Sequence, residues 1–401
     1  MSILKNKTIV LGVTGSIAAY KALDIARRLI TSGTHVNVVM TKGATKLISP
    51  LTFQAITHHP VTTDLFNPHA QTGIDHISLA KQADAFLIAP ATANILAKLA
   101  HGISDDALTT TFLATRAPVI GAPAMETRMW EHPATQHNVR MLTKWRATVI
   151  APEAGRLASG AIGIGRLADP ADIVDTIRYV LGKRGPLRGK RMLITAGPTR
   201  EYIDPIRFFS NASSGSMGYA LAREARDQGA TVTLVTGPTS LGKPAGITTI
   251  PVTSAQEMHT AVFDHIERMD AVIATAAVTD YRPKTALKQK IKKTKDSLTF
   301  KMVQNPDILT HIKTWKEKQK RNTLFVMGFA AETDNLIINA QKKLKEKNLD
   351  MIVANPAPES FGGTSIKATV LRTDQKPEKL PVLGKSELAE KIISIIMKHT
   401  L

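Results

Sequence analysis

Strand-like and helix-like stretches alternate along this chain, and the alternation restarts after a Gly-, Pro- and Arg-rich break. Thr8–Val13 is a β-rich apolar run, Ile17–Ile30 carries helical periodicity stopped at Gly33, and His35–Met40 is strand-like again. Further short strands are expected at Asp84–Ala89 and Pro118–Gly121, with helices at Ala91–Ala100 and Asp172–Leu181. Strands separated by helices imply βαβ units and a parallel sheet. The break is GKRGPLRG, residues 182–189. Beyond it, strands are expected at Arg191–Thr195, Thr231–Thr236, Asp270–Val278, Leu324–Phe329 and Asp350–Ala354, and helices at Met217–Asp227 and Ser386–Lys398. The expectation is an α/β chain of two Rossmann-like parallel-sheet domains, residues 1–182 and 190–401, joined by a linker over 183–189. A length of 401 residues exceeds what one core supports. No sequence repeat relates the halves.

Composition narrows the function classes. The apolar run near the start spans about six residues, short of a signal-peptide core, and no stretch approaches the ~20 residues of a membrane span. The cysteine count is 0, which rules out disulfides and thiolate–metal sites. A cytoplasmic protein is expected. The formal net charge is +19, with the excess concentrated between Lys284 and Arg321. It suits a basic solvated surface, anionic small molecules or nucleic acid. Aromatic residues are only 5% of the chain, poor material for stacking bases, so nucleic acid is not expected.

In the first half, GVTGSIAAYK (Gly12–Lys21) lies where a strand turns into a helix. Glycine there lets backbone approach a ligand, and a helix N-terminus offers N–H groups to phosphate; a ligand-free tight turn is the alternative. The spacing is not G-x-G-x-x-G, which argues against a nicotinamide dinucleotide. APATAN (Ala89–Asn94) and APAMETRMW (Ala122–Trp130) also follow strands, on the carboxyl edge where α/β ligands bind. The second is either plain packing or a wall beside a flat ring. GRLASGAIGIGR (Gly155–Arg166) is expected to be a mobile flap over a site rather than core.

These four stretches, in this order over roughly residues 5–180, resemble the flavoprotein family of phosphopantothenoylcysteine decarboxylases. The resemblance implies an FMN cofactor, with Gly15, Ser16, Ala89, Thr92, Asn94 and Met125 at its site. It also implies three side chains for the chemistry. His76, in HISL, is the base. The position after P-A-M, an asparagine in the family, is Glu126 here, and the cysteine of G-x-L-A-C-G is Ser159. An ionised glutamate repels the substrate carboxylate that an amide would hold. A hydroxyl is a far weaker acid than a thiol of pKa about 8.5. Two expectations follow: a working decarboxylase, or a domain retained for FMN binding or assembly.

The second half carries TAGPTRE (Thr195–Glu201), DPIR (Asp204–Arg207) and FSNASSGSMG (Phe209–Gly218). The Ser/Gly-rich loop leads into a helix, so its N–H groups can cradle phosphate; Ser213 or Ser214 as a simple helix cap looks the same from sequence. Arg207 and Asn211 have the chemistry to orient an anion or an acyl group. ATAAVTDY (Ala274–Tyr281) ends a buried strand with small residues and then an acid. KIKK (Lys290–Lys293), NPDI (Asn305–Ile308) and GFAAET (Gly328–Thr333) follow, with Lys343 and Lys347 four apart on one helix face. A charge run such as KIKK is by itself most simply a solvated face.

In this order, over roughly residues 188–400, these motifs are similar to phosphopantothenate–cysteine ligase. One departure is Ser216, where lysine is common. The resemblance implies CTP with Mg²⁺ activating 4′-phosphopantothenate as an acyl-cytidylate, which the amine of cysteine then attacks. Lys290 would stabilise charge in the nucleotidyl transfer, and Asn211 would act on the acyl-cytidylate. Ala276, Ala277, Asp280, Lys290, Pro306, Asp307, Ile308, Leu309, Phe329, Lys343 and Lys347 would hold CTP. The domain order matches a bacterial coenzyme A biosynthesis fusion, with no membrane partner and a homo-oligomer of trimeric flavin domains and dimeric ligase domains. Metal ligands are not legible.

Overall fold

Ile9, Leu11 and Val13 of β1 (Thr8–Val13) are buried on one face of a sheet, and Val10 on the other. A strand apolar on both sides is one covered by helices on both faces. The structure, a computed structural model, describes residues 3–66, 75–292, 298–356, 363, 365–373 and 375–400. Lys293, the last residue of KIKK, lies outside them. The chain divides into two compact units, Met1–Gly182 and Lys183–Leu401.

In the first unit, β1 is joined by β2 (His35–Met40), β3 (Ala85–Ala91), β4 (Val119–Pro123) and β5 (Thr148–Val149). All pair in parallel, in the order β2-β1-β3-β4-β5. Ile25 and Leu29 of the helix Lys21–Thr31 and Ile173 and Ile177 of the helix Pro170–Gly182 bury one face. Ile95 and Leu99 of Ala93–Ala100 and Leu108 of Ala107–Ala114 bury the other. Each such side chain contributes roughly 1.5–3 kcal/mol.

The elements depart locally from the sequence expectation. The helix expected over Ile17–Ile30 opens as a 3₁₀ turn, Ile17–Tyr20, and becomes α-helical at Lys21. The helix expected from Ala91 starts at Ala93, because Thr92 stays extended and its Oγ1 accepts from the Ile95 N–H at 3.2 Å. Gly155–Arg166, expected as a flap over a site, belongs to regular structure. It lies in an antiparallel hairpin of β6 (Glu153–Arg156) and β7 (Ile162–Arg166). Its glycines allow the docking: a Cβ at Gly163 would strike the Thr127 side chain, and one at Gly165 the Met125 carbonyl oxygen.

In the second unit β8 (Arg191–Ala196) is followed by a small ribbon of β9 (Arg200–Tyr202) and β10 (Phe208–Ser210). Then come β11 (Thr231–Thr236), β12 (Thr248–Pro251) and β13 (Ala271–Ala274), a second ribbon of β14 (Tyr281–Pro283) and β15 (Met302–Gln304), β16 (Phe325–Glu332) and β17 (Met351–Pro356). The main sheet runs β12-β11-β8-β13-β16-β17, all parallel, and is extended by antiparallel Thr369–Arg372 and Glu378–Lys379. Met192 and Ile194 face the helices Ser216–Asp227 and Lys385–Thr400, while Leu193 faces Ala255–Phe263, Ile308–Gln319 and Leu336–Glu346. The strand expected over Asp270–Val278 stops at Ala274, where side-chain bonds join the backbone ones: Thr275 Oγ1 and N–H both donate to the Thr195 carbonyl, at 2.5 and 3.3 Å, and Ala276 N–H donates to Thr195 Oγ1 at 3.2 Å. The stretch after Gly182 is packed rather than free, since Leu187 is fully buried in this unit's core and its N–H donates to the Gln228 carbonyl at 2.7 Å. Among the described residues no helix is long and apolar enough to cross a membrane.

The helix Ser216–Asp227 lies so close to β8 that a Cβ at Gly218 would stand 2.5 Å from both Ala196 Cβ and Thr275 Oγ1. Gly218→Ala is therefore expected to destabilise the second unit by about 1–3 kcal/mol, read as a lowered guanidinium midpoint for its unfolding transition. An unchanged midpoint would show that the helix has room to shift.

Candidate functional sites

The order β2-β1-β3 places the first unit's switch point between β1 and β3, and the loops leaving their carboxyl ends carry the hydroxyl motifs. Thr14 Oγ1 donates to the Pro90 carbonyl at 2.7 Å and accepts from Thr92 N–H at 3.2 Å, locking the two loops together. Gly15 leaves no room for a side chain: its Cβ would lie 3.0 Å from the Gly43 carbonyl carbon. Ser16 Oγ accepts from Ala18 N–H at 3.3 Å and donates to the Ala124 carbonyl at 3.4 Å, tying β1 to β4. Ala89 is buried within β3, and Asn94 is exposed in the helix that Thr92 caps.

Ser16, Met125, Glu126 and Ser159 come together on one cavity of about 590 Å³ beneath the hairpin. Lys21, Arg156 and Arg166 also line it, three cations against the one carboxylate of Glu126, so the cavity suits an anion. Sequence reading assigned no role to these cations; the alternation along β6 and β7 was the available signal. Glu126 is committed locally, because its Oε2 accepts from Arg128 N–H at 2.6 Å and caps the helix Thr127–Glu131. Ser159 is exposed in the hairpin turn. His76 is half-buried on the helix Asp75–Gln82 and is not among the residues lining this cavity.

In the second unit the switch point lies between β8 and β13, and Ala277 N–H donates to the Gly197 carbonyl at 2.9 Å across it. Two cavities open there, of about 480 and 720 Å³, sharing Ala276, Val278 and Phe329 in their walls. The smaller contains Asn211, Ala277 and the Ser213–Gly218 turn. Asn211 Nδ2 donates to the Ala277 carbonyl at 3.3 Å and the Val278 carbonyl at 3.0 Å. The larger gathers Asp280, Pro306, Asp307, Ile308, Leu309 and Lys347. Asp307 caps the helix Ile308–Gln319 and meets Lys347 Nζ at 2.9 Å. Burial pushes the Asp307 carboxyl up, but the Lys347 and Thr310 hydrogen bonds and the Lys347 charge outweigh it and hold it below its ordinary value. Lys343 is not brought to either cavity; its Nζ pairs with Glu332 Oε1 at 2.6 Å.

Arg207 and Lys290 line neither cavity; Arg207 is linked to Ile291, the residue after Lys290, through Asp204, to which the sequence alone gave no role. The buried Asp204 carboxylate accepts from the backbone N–H groups of Ile206 and Arg207, both at 2.8 Å, as its turn position favours. It also accepts from Arg207 Nη1 at 3.0 Å and from Ile291 N–H at 3.1 Å, and Arg207 Nη1 reaches the Ile291 carbonyl at 3.2 Å. The residue after Lys290 is thus pinned at both its backbone groups, while Lys290 itself is exposed. Burial raises the Asp204 carboxyl, and the N–H groups of Ile206, Ile291 and Arg207 with the Arg207 charge lower it by more, leaving it below 3.8.

Two doubly wound sheets, each with polar loops and a cavity at its switch point, define a two-site α/β protein. The chain matches the Flavoprotein family over residues 2–182 and the family described as DNA/pantothenate metabolism flavoprotein C-terminal domain over residues 187–400. It is 45% identical over 400 residues to the coenzyme A biosynthesis bifunctional protein CoaBC of Vibrio vulnificus (strain YJ016), covering 99% of this chain and 98% of that protein. Against the same-named protein of Bacillus subtilis (strain 168) identity is 44% over 399 residues, covering 98% and 97%. A crystal structure of the C-terminal domain of a CoaBC protein matches at 43% identity, covering 53% of this chain and 97% of that one, with a TM-score of 0.46. The chain belongs to the CoaBC family of bifunctional coenzyme A biosynthesis proteins.

The Asp204 network yields a direct test. Asp204→Asn removes the charge that holds Arg207 and Ile291 N–H, so trypsin is expected to cut after Lys290 and Lys292 several-fold faster than in the parent, measured by mass spectrometry. A depressed carboxyl contributes above its unfolded pKa and is lost only as pH falls through its folded one, so the parent loop stays anchored at every pH above about 4. Equal cleavage rates would remove Asp204 from the anchor.

Proposed function

We propose that the second unit joins 4′-phosphopantothenate to cysteine with CTP, and that the first unit decarboxylates the product to 4′-phosphopantetheine. The observation that carries this reading is likeness to CoaBC proteins across 99% of the chain, spanning both switch-point sites. A carboxylate does not react with an amine at neutral pH, so the acid must first be activated. Its oxygen attacks the α-phosphorus of CTP, pyrophosphate leaves, and the cysteine amine then displaces CMP from the acyl carbon. In this reading the larger cavity takes the nucleotide: Ala276 and Phe329 allow close approach, with Ala277 in the adjoining smaller cavity, and Asp280, the Pro306–Leu309 turn and Lys347 hold it. Lys343 contributes by fixing Glu332 beside β16. Mg²⁺ comes with the triphosphate, and Asp280 supplies the kind of oxygen ligand such an ion adds to phosphate and water. Lys290 neutralises charge on the transferring phosphoryl group. Asn211, already bonded to the Ala277 and Val278 carbonyls, orients the acyl group, with Arg207 fixing the approach of the Lys290 loop.

The first unit fits FMN: the order β2-β1-β3-β4-β5 opens its switch point between β1 and β3, Gly15 is stripped of a side chain by close contact, and the nearby cavity is cationic. Gly15, Ser16, Ala89, Thr92 and Asn94 would hold the cofactor, with Met125 against its ring. When bound, FMN supplies reversible two-electron oxidation. His76 takes the proton from the substrate, and Ser159 returns one to the enethiolate left after CO₂ departs. A homo-oligomer, with trimeric flavin units and dimeric ligase units, is supported by His76 lying away from the Ser159 cavity and by Ile162, an apolar side chain 86% exposed on the hairpin. A cytoplasmic location suits a chain without cysteine.

Purified protein is expected to release pyrophosphate from CTP only when 4′-phosphopantothenate is present, and Lys290→Gln should cut this by on the order of 10²–10³-fold with an unchanged melting curve. Full activity in that variant sinks the role of Lys290; pyrophosphate release independent of the acid sinks the ligase reading. A second measurement addresses the flavin unit. Because a hydroxyl donates a proton less readily than a thiol, Ser159→Cys combined with Glu126→Asn should raise 4′-phosphopantetheine formation, by as much as ~10²-fold. No gain would mean that another group delivers the proton.

A further inference from the structure

Lys385 begins the C-terminal helix Lys385–Thr400 and reaches the smaller cavity of the second unit. Its Nζ donates to Ser216 Oγ at 2.7 Å, and Ser216 Oγ lies 2.8 Å from Ser214 Oγ. The rest of the wall is amide, hydroxyl, backbone and apolar groups. Among the described lining residues Lys385 is the one charged side chain, and none is acidic. A hydroxyl leaves two of the three ammonium N–H groups open to another acceptor. Burial also holds this ammonium below the ordinary lysine pKa, so the charged form is penalised until an anion joins it. Facing it, Gly215 takes a left-handed φ of 75° and turns the chain into the helix Ser216–Asp227, whose first N–H groups add positive potential.

We propose that Lys385 is a substrate-contacting residue of the second unit, clamping a phosphoryl group against the Ser214–Ser216 turn. This rests on the ligase reading and adds to it a cation from the far end of the chain. The phosphoryl group belongs either to the triphosphate of CTP or to the phosphate of 4′-phosphopantothenate. The cavity shares Ala276, Val278 and Phe329 with the larger one, so either substrate can present it there.

The test is steady-state pyrophosphate release by full-length Lys385→Gln with each substrate varied in turn. A charge-assisted hydrogen bond of this kind predicts an increase of about 10- to 100-fold in one KM. The substrate whose KM rises is the one whose phosphate the lysine holds. Ser216→Lys in the Lys385→Gln background returns an ammonium to the same cavity and should recover most of the loss, which a purely structural role for Lys385 would not permit. Direct titration of the full chain with inorganic pyrophosphate makes the comparison without turnover: the parent should bind at least 10-fold more tightly than the variant. Should Lys385→Gln fail to fold, Ser216→Asp, which pairs the ammonium internally, should weaken pyrophosphate binding in its place. Unchanged KM values for both substrates, or equal pyrophosphate affinity, overturn the proposal and leave the ligase reading standing. Absence of CTP turnover in the parent would instead count against the ligase reading, and the pyrophosphate titration would still decide on Lys385.

Discussion

Parallel pairing of β8 with β13 is the constraint on which the second unit's chemistry depends. Neighbouring parallel strands send their following loops off the same edge, and at a switch point those loops diverge and leave a crevice. Here Thr195 fixes how it opens. Its carbonyl accepts from Thr275 Oγ1 and its hydroxyl from Ala276 N–H, so β13 ends one residue earlier than the Thr275 hydroxyl and its apolar run continues outside the ladder. The small residues Ala276 and Ala277 therefore stand at the crevice beyond the end of the strand, and Gly218 lets the helix Ser216–Asp227 pack against Ala196 and Thr275. Asn211 reads the same loop through the carbonyls of Ala277 and Val278.

Electrostatics follows a consistent plan in both units. Cations line the first unit's cavity and the smaller cavity of the second unit, and several acids of both units are committed to neighbours. Asp307 is paired with Lys347, Glu332 with Lys343, Asp204 with Arg207, and Glu126 with the N–H of Arg128. Cations thus outnumber acids in the first unit's cavity and in the smaller cavity of the second unit. The partly exposed pair of Asp307 and Lys347 contributes little to stability. The effect of these pairings is to aim side chains, and Asp204 shows it most clearly, since one buried carboxylate sets the path of the loop that bears Lys290.

Much of the architecture was legible along the chain. Strands such as Thr8–Val13 and Thr231–Thr236 matched their sequence bounds, because β-branched residues run through them and all but the first residue of each is buried. The errors fell where side chains compete with the backbone for hydrogen bonds. Thr92 delayed a helix, and Thr275 cut a strand short. The Thr275 bond is to Thr195, distant in the chain, and the Thr92 cap is a choice between side chain and backbone; local periodicity contains neither.

The sequence by itself determined the layered α/β plan, the restart after Gly182 and the residue types at each strand's carboxyl end, because apolar patterning and turn chemistry are local properties. Only the tertiary structure decided which of those residues meet. It gathered Asp280, Asp307, Phe329 and Lys347 in one cavity, turned Lys343 away to Glu332, left His76 apart from Ser159, and brought Lys385 to Ser216. The physical reason is that a charged side chain is placed by the strands and helices packed around it and by the nearest opposite charge or hydroxyl, and the sheet order selects those neighbours.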